Sequence, residues 1–203
     1  MAVRVRSPWP DAVEREQGSR PTGGRPPAGD SLPLAQLHGD ASGDRKAYGK
    51  AEAALKGFSR SVYYCGEFGN GSKLKYVANL LVTIHNLSTA EAMVMGLKSG
   101  LDLNLLYKVI KDGAGNSRMF EVRGPLMIKG DYSQATMKID VYRKDIDIIE
   151  QFAADLHCPV PLFEASKPFY AAAYAQGRAL EDTAAVCAVL EQMAGITRKK
   201  RRK

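Results

Sequence analysis

The longest sustained pattern in the chain runs from about Ser72 to Ser99, and it limits what the rest can be. Leu, Val, Ile, Ala and Met fill it at helical spacing. Gly100 follows where a helix end takes a left-handed residue, and Asp102 offers the next N-cap. At about 1.5 Å per residue this helix is roughly 40 Å long, which suits the centre of an all-α domain with shorter helices laid around it.

The flanking patterns agree. Ala47, Tyr48, Ala51, Ala54 and Leu55 recur at i, i+3, i+4 spacing between Asp44, a natural N-cap, and Gly57. Downstream, helices are predicted from Asp102 to Asp112, from about Ser117 to Arg123 before Pro125, and from about Ile139 to His157 before Pro159. Two more run from about Leu162 to Gln176 and from about Asp182 to Ala194, each stopped by a glycine. The one strand signal is the β-branched and aromatic run from Ser61 to Cys65, and neither βαβ alternation nor an internal repeat is visible. The predicted fold class is mainly α.

Residues 1–43 hold six of the ten prolines and six of the nineteen glycines with no sustained apolar period, so they are expected to be a disordered lead. The helical domain then covers 44–197 and a basic tail 198–203. This division explains the net charge of +7, which resembles a nucleic-acid signal only until it is split. Residues 1–60 carry +3, residues 61–197 carry −2, and the six residues from Arg198 to Lys203 carry +6. The body of the protein is not basic, and the tail, with no aromatic interleaved, reads as a solvated charge run rather than a specific nucleic-acid contact.

Cys65, Cys158 and Cys187 have neither the pairing of a disulfide framework nor the spacing of a zinc knuckle, so no metal site is expected and a reducing cytoplasm is the simplest compartment. The N-terminus lacks an apolar stretch behind its arginines, and the long helix is interrupted by Lys75, Asn79, His85 and Asn86, which argues against a secretory signal or a membrane span.

The turn GEFGNG between the strand and the long helix invites a phosphate-loop reading, but the order is wrong. Four residues separate Gly66 from Gly71, yet Ser72 rather than lysine follows, and Leu74 occupies the third glycine position of a dinucleotide fingerprint. What the turn does is launch a helix whose first turns carry Lys73 and Lys75. With about 100° per residue, Lys75, Asn79, Val82 and Asn86 lie within roughly 60° of one another, a polar stripe on an otherwise apolar helix. Such a stripe is either the solvated face of an ordinary helix or a site in which a partly desolvated Lys75 exchanges a proton with a substrate while Asn79 orients it. His85 and His157, Met93 and Met95, and Cys187 read as structural residues.

The segment GEFGNGSKLKYVANLLVTIHNLSTAEAMVMGLKSGLD resembles the helix-start motif of the β-hydroxyacid dehydrogenase family, which includes 3-hydroxyisobutyrate dehydrogenase and tartronate semialdehyde reductase. The motif is a GxGxxxK followed by one or two amides, here Gly69, Gly71, Lys75 and Asn79. The stretch GDYSQATMKIDVYRKDIDI, with Lys144-Asp145, and the segment GRALEDTAAV, with Gly177, Asp182 and Ala185, follow in the family's order. The resemblance covers about residues 41–196. It implies a helical bundle like the C-terminal domain of 6-phosphogluconate dehydrogenase-like proteins, working with NAD or NADP on a small hydroxyacid. By the same resemblance Lys75 is the catalytic acid/base, Asn79 binds substrate, and Lys144 is cofactor-binding.

Two departures stand out. Ala78 replaces the first amide of the family's pair, which thins the substrate hydrogen bonding. Upstream, the family's N-terminal Rossmann domain has no counterpart, so the chain is expected to be a truncated or frameshifted member, or to work with a separate Rossmann domain. The alternative is a non-enzymatic helical interaction module, and self-association is expected under either reading.

Overall fold

The computed structural model describes residues 4–6, 38–59 and 61–198. Most of the predicted lead, residues 7–37, and the end of the basic tail, 199–203, lie outside the described residues. Two compact units divide the chain, residues 1–75 and 76–203.

The first unit holds a three-stranded sheet, β1 (Arg4–Arg6), β2 (His38–Ser42) and β3 (Ser61–Tyr64), in that spatial order. β1 pairs antiparallel to β2, with Arg4 opposite Ser42, and β2 pairs parallel to β3, with His38 opposite Ser61. Helix α1 (Arg45–Phe58) makes the crossover, and the Asp44 side chain caps it by accepting from the Ala47 N–H at 2.7 Å. This corrects the sequence reading twice, because there are strands besides β3 and there is one βαβ unit. The reason is physical: β2 reads HGDAS, with no β-branched residue and no Phe, Tyr or Trp, and is strand only because β1 and β3 take up its backbone groups.

The GEFGNG turn then brings the start of helix α2 (Asn70–Lys98) against β2. The Asn70 side chain donates to the Cys65 carbonyl at 2.9 Å, and a Cβ at Gly71 would sit 3.2 Å from the Asp40 carbonyl oxygen. A side chain at position 71 would force the helix start and the strand apart by a few tenths of an ångström.

In the second unit, α2 is the central element. Around it lie α3 (Leu103–Lys111), α4 (Arg118–Lys129), α5 (Ile139–Asp155), α6 (Pro161–Ala175), a 3₁₀ turn (Thr183–Ala185) and α7 (Val186–Met193). Asp102 and Ser117 cap α3 and α4, accepting from Leu105 N–H and Phe120 N–H. The core joins Ala90 and Met93 of α2 to Phe120, Met127, Ile139, Tyr142, Phe163, Tyr170 and Val186. By length and composition α2 could cross a bilayer, but here it is a core helix whose buried polar groups find partners within the unit.

Helix α4 runs through Pro125 instead of ending before it. The proline lacks the N–H that would bond the Glu121 carbonyl, and the Tyr107 hydroxyl donates to that oxygen instead, at 3.0 Å. Tyr107 in turn stacks on Phe120 at 5.4 Å, so close that a Cβ at Gly124 would meet its ring at 2.8 Å. A tertiary contact thus repairs what the local sequence breaks.

The start of α5 is fixed by a buried ion pair. Arg123 Nη1 donates to both carboxylate oxygens of Asp182, at 2.7 and 2.5 Å, and to Thr136 Oγ1 at 2.6 Å. Asp182 also accepts from the backbone N–H groups of Thr136, Met137 and Ala184. The loop entering α5, the middle of α4 and the 3₁₀ turn therefore meet at one carboxylate. Arg198, expected in a solvated tail, is docked: it donates to the Ile128 carbonyl at 2.8 Å and pairs with Glu191.

Candidate functional site

Two helices carry the three predicted site residues, Lys75 and Asn79 on α2 and Lys144 on α5. Asn79 is buried at 6 % exposure, and its Nδ2 donates to Asp145 Oδ2 at 3.3 Å. The structure thus brings Asn79 to the residue next to Lys144. Lys144 itself is exposed and makes no side-chain hydrogen bond or ion pair among the described residues. Lys75 stands one helical turn before Asn79, half-buried, and likewise has no partner among the described residues.

Beyond Asn79 the polar stripe becomes a buried seam, not a solvated face. Thr83 Oγ1 and the Tyr142 hydroxyl both reach the Asn79 carbonyl, at 2.8 and 3.0 Å, and lie 2.7 Å from each other. The Tyr170 hydroxyl donates to the Thr83 carbonyl at 3.1 Å. Asn86 Nδ2 donates to Tyr170 at 3.0 Å and to the Thr183 carbonyl at 2.9 Å. Burial pushes the Tyr142 and Tyr170 hydroxyls above their ordinary range, so both remain neutral donors. The seam holds α2 against α5 and α6 and fixes the rotation at which Asn79 meets Asp145.

Three residues of this arrangement escaped the sequence reading. Asp145 appears in the sequence reading only beside Lys144 in the family's stretch, and Thr83 and Tyr142 are not singled out there at all. His85 lies elsewhere, beside a cleft with Ser88, Asn116 and Phe120. His157, just after α5, takes a left-handed φ of 50° and ends the helix.

Comparison with known proteins gives the class first. The fold matches the solved 3-hydroxyisobutyrate dehydrogenase from Salmonella typhimurium with a TM-score of 0.71 and 30% sequence identity, over 76% of this chain and 54% of that one. The L-threonate dehydrogenase of Cupriavidus necator is 39% identical over 146 residues, 71% of this chain and 49% of the relative. The chloroplastic glyoxylate/succinic semialdehyde reductase 2 of Arabidopsis thaliana is 33% identical over 74% of this chain and 42% of the relative. These are dehydrogenases and reductases, and the chain spans about half the length of the curated relatives it matches.

The family profile described as NAD-binding of NADP-dependent 3-hydroxyisobutyrate dehydrogenase matches residues 69–190. The chain belongs to that family. The matched stretch begins at Gly69, contains Lys75, Asn79 and Lys144, and ends inside α7.

Proposed function

We propose that the chain supplies the substrate-side half of an NAD(P)-dependent β-hydroxyacid dehydrogenase, which interconverts a 3-hydroxy acid and its semialdehyde. One observation carries the reading. An unpaired Lys75 stands one turn ahead of a buried Asn79 that is tied to Asp145, and the neighbouring Lys144 is an exposed cation with no counter-ion among the described residues.

The residues fit the cofactor class, since an unpartnered ammonium on a rigid helix suits a nucleotide's phosphate or ribose oxygens. When bound, the nicotinamide supplies the acceptor or donor of hydride. Lys75 takes the hydroxyl proton on Nζ as the alcohol is oxidised and returns it in the reductive direction. Asn79 uses one N–H to hold Asp145, leaving its amide oxygen and second N–H to orient the substrate. Buried Tyr142 and Thr83 keep Asn79 in that rotation.

Turnover also needs a nucleotide-binding Rossmann domain, which we propose is supplied as a separate partner or as further sequence. The substrate is a small hydroxyacid or oxo acid of the kind named in the relatives, which are L-threonate, glyoxylate and succinic semialdehyde. We place the protein in the cytoplasm as a homo-oligomer, a setting in which its three free cysteines stay reduced.

The test is fluorescence titration of the purified chain with NADH and NADPH, followed by assay of tartronate semialdehyde reduction. Binding that weakens in Lys144→Ala supports the reading. No binding, and no turnover even when a relative's Rossmann domain is supplied, with Lys75→Ala indistinguishable from the parent, sinks the enzyme reading and leaves a helical interaction module.

A further inference from the structure

The sheet of the first unit is built around a strand pair too small to stand alone. β2 and β3 run parallel and are joined by α1, and parallel strands belong to larger sheets covered on both faces. β2 is buried as an inner strand is, with Ala41 at 0 % exposure, whereas β3 shows Tyr63 at 59 %. One edge of β2 is given to β3: the Ala41 carbonyl accepts from the Cys65 N–H at 2.7 Å, and the Gly43 N–H donates to the Gly66 carbonyl at 2.8 Å. Backbone groups of successive strand residues point to opposite edges, so the N–H and C=O of Asp40 and Ser42 face the other way.

What meets them is β1. Arg6 lies opposite Asp40 and Arg4 opposite Ser42, so a strand of three residues takes up that edge. The pairing is unlike a hairpin. Residues 7–37 stand between the two strands, where a hairpin loop has about two to five, so no tight turn sets the register and closure of the long connection opposes the contact. β1 also ends the sheet: it is short, it reads RVR, and Pro8 follows two positions on, features by which edge strands refuse further pairing. A strand that is short, remote in sequence and closed on its outer side covers an edge without extending a sheet.

We propose that β1 is a displaceable cap on the β2 edge, and that a strand of the nucleotide-binding partner's sheet adds to β2 in its place, so that residues 4–6 compete with assembly. This rests on the reading that a Rossmann domain completes the enzyme. The incoming strand is held by main-chain hydrogen bonds at Asp40 and Ser42, which is the chemistry of strand addition. While β1 is seated the edge is taken, and apparent affinity for the partner falls in proportion to the fraction of molecules left open.

The test compares the full chain with a deletion of residues 1–7, with Arg6→Pro and with Arg6→Ala, using circular dichroism to check each fold. Amide hydrogen exchange by NMR reads the edge. The Asp40 and Ser42 amides are expected to exchange at least about tenfold faster in the deletion and in Arg6→Pro, which lacks the N–H, while the Gly43 and Cys65 amides, bonded between β2 and β3, keep the parent rate. Isothermal titration with the portion of the Cupriavidus necator L-threonate dehydrogenase that this chain does not span reads the competition. The deletion and Arg6→Pro are expected to bind it at least about tenfold more tightly than the parent, and Arg6→Ala, which keeps the backbone bond, like the parent. Binding should also slow the Asp40 and Ser42 amides again. Equal affinity of parent and deletion, or amides as protected without residues 1–7 as with them, overturns the proposal. So does a partner that binds none of the four forms. The role of Lys75 is judged on hydride transfer instead, so the two readings fail separately.

Discussion

The seam between α2, α5 and α6 and the two lysines beside it treat polar groups in opposite ways. Thr83, Tyr142 and Tyr170 spend their hydrogen-bonding capacity on one another and on backbone carbonyls, and Asn79 gives one N–H to Asp145, all in a buried region. Lys75 and Lys144 reach no partner among the described residues. A buried polar group left unpaired costs about 1–3 kcal/mol, so the seam is satisfied at all but the Asn86 Oδ1, whereas a lysine side chain in contact with water can wait for a ligand. Saturated groups build the site, and unsaturated ones are left to work in it.

The sharpest way to break this contrast is at the most saturated group. Asp182→Ala strands the buried Arg123 guanidinium, and urea denaturation should show a loss of about 3–5 kcal/mol. A loss near that of a surface substitution would mean the pair holds nothing in place. Next comes Tyr142→Phe, which removes the donor to the Asn79 carbonyl and should cost about 1–2 kcal/mol by the same measurement.

Alkaline pH probes burial directly. Burial, followed by the nearby Glu191, pushes the Cys187 thiol from an ordinary 9.0 up to about 12. Its contribution to stability is complete below pH 9, where the thiol is neutral both folded and unfolded. As pH rises from 9 towards 12 the unfolded thiol ionises first, so stability falls by about 1.4 kcal/mol per pH unit at most. Cys187→Ala should flatten that decline in pH-dependent unfolding. At pH 8 a maleimide should label exposed Cys158 well before Cys187.

The smallest effect belongs to the open side of the contrast. Lys144→Ala and Lys75→Met should each leave thermal stability within about 0.5 kcal/mol of the parent, since neither breaks a side-chain hydrogen bond or ion pair among the described residues.

How much of this was legible in the sequence follows from the range of the interactions. Asp44 and Asp102 announced α1 and α3 because a cap is a contact three residues long. Lys75 and Asn79 stood out because four residues on one helix share a face. The Asn79–Asp145 bond spans 66 positions and the Arg123–Asp182 pair 59, and no local pattern encodes either. The same gap explains the two errors of element assignment. β2 is a strand through its neighbours, and α4 survives Pro125 through the hydroxyl of Tyr107. The docking of Arg198 was hidden for the same reason, since a run of like charges looks solvated until the one residue that reaches Glu191 is seen.

The central claim is that Lys75 moves the proton, and joining this chain to the portion of the Cupriavidus necator L-threonate dehydrogenase that it does not span tests it most directly. In single-turnover assays of L-threonate oxidation, the account expects Lys75→Met to lose at least about a hundredfold in rate, with NAD(P)H binding unchanged. A Lys75→Met hybrid that transfers hydride as fast as its parent would contradict it.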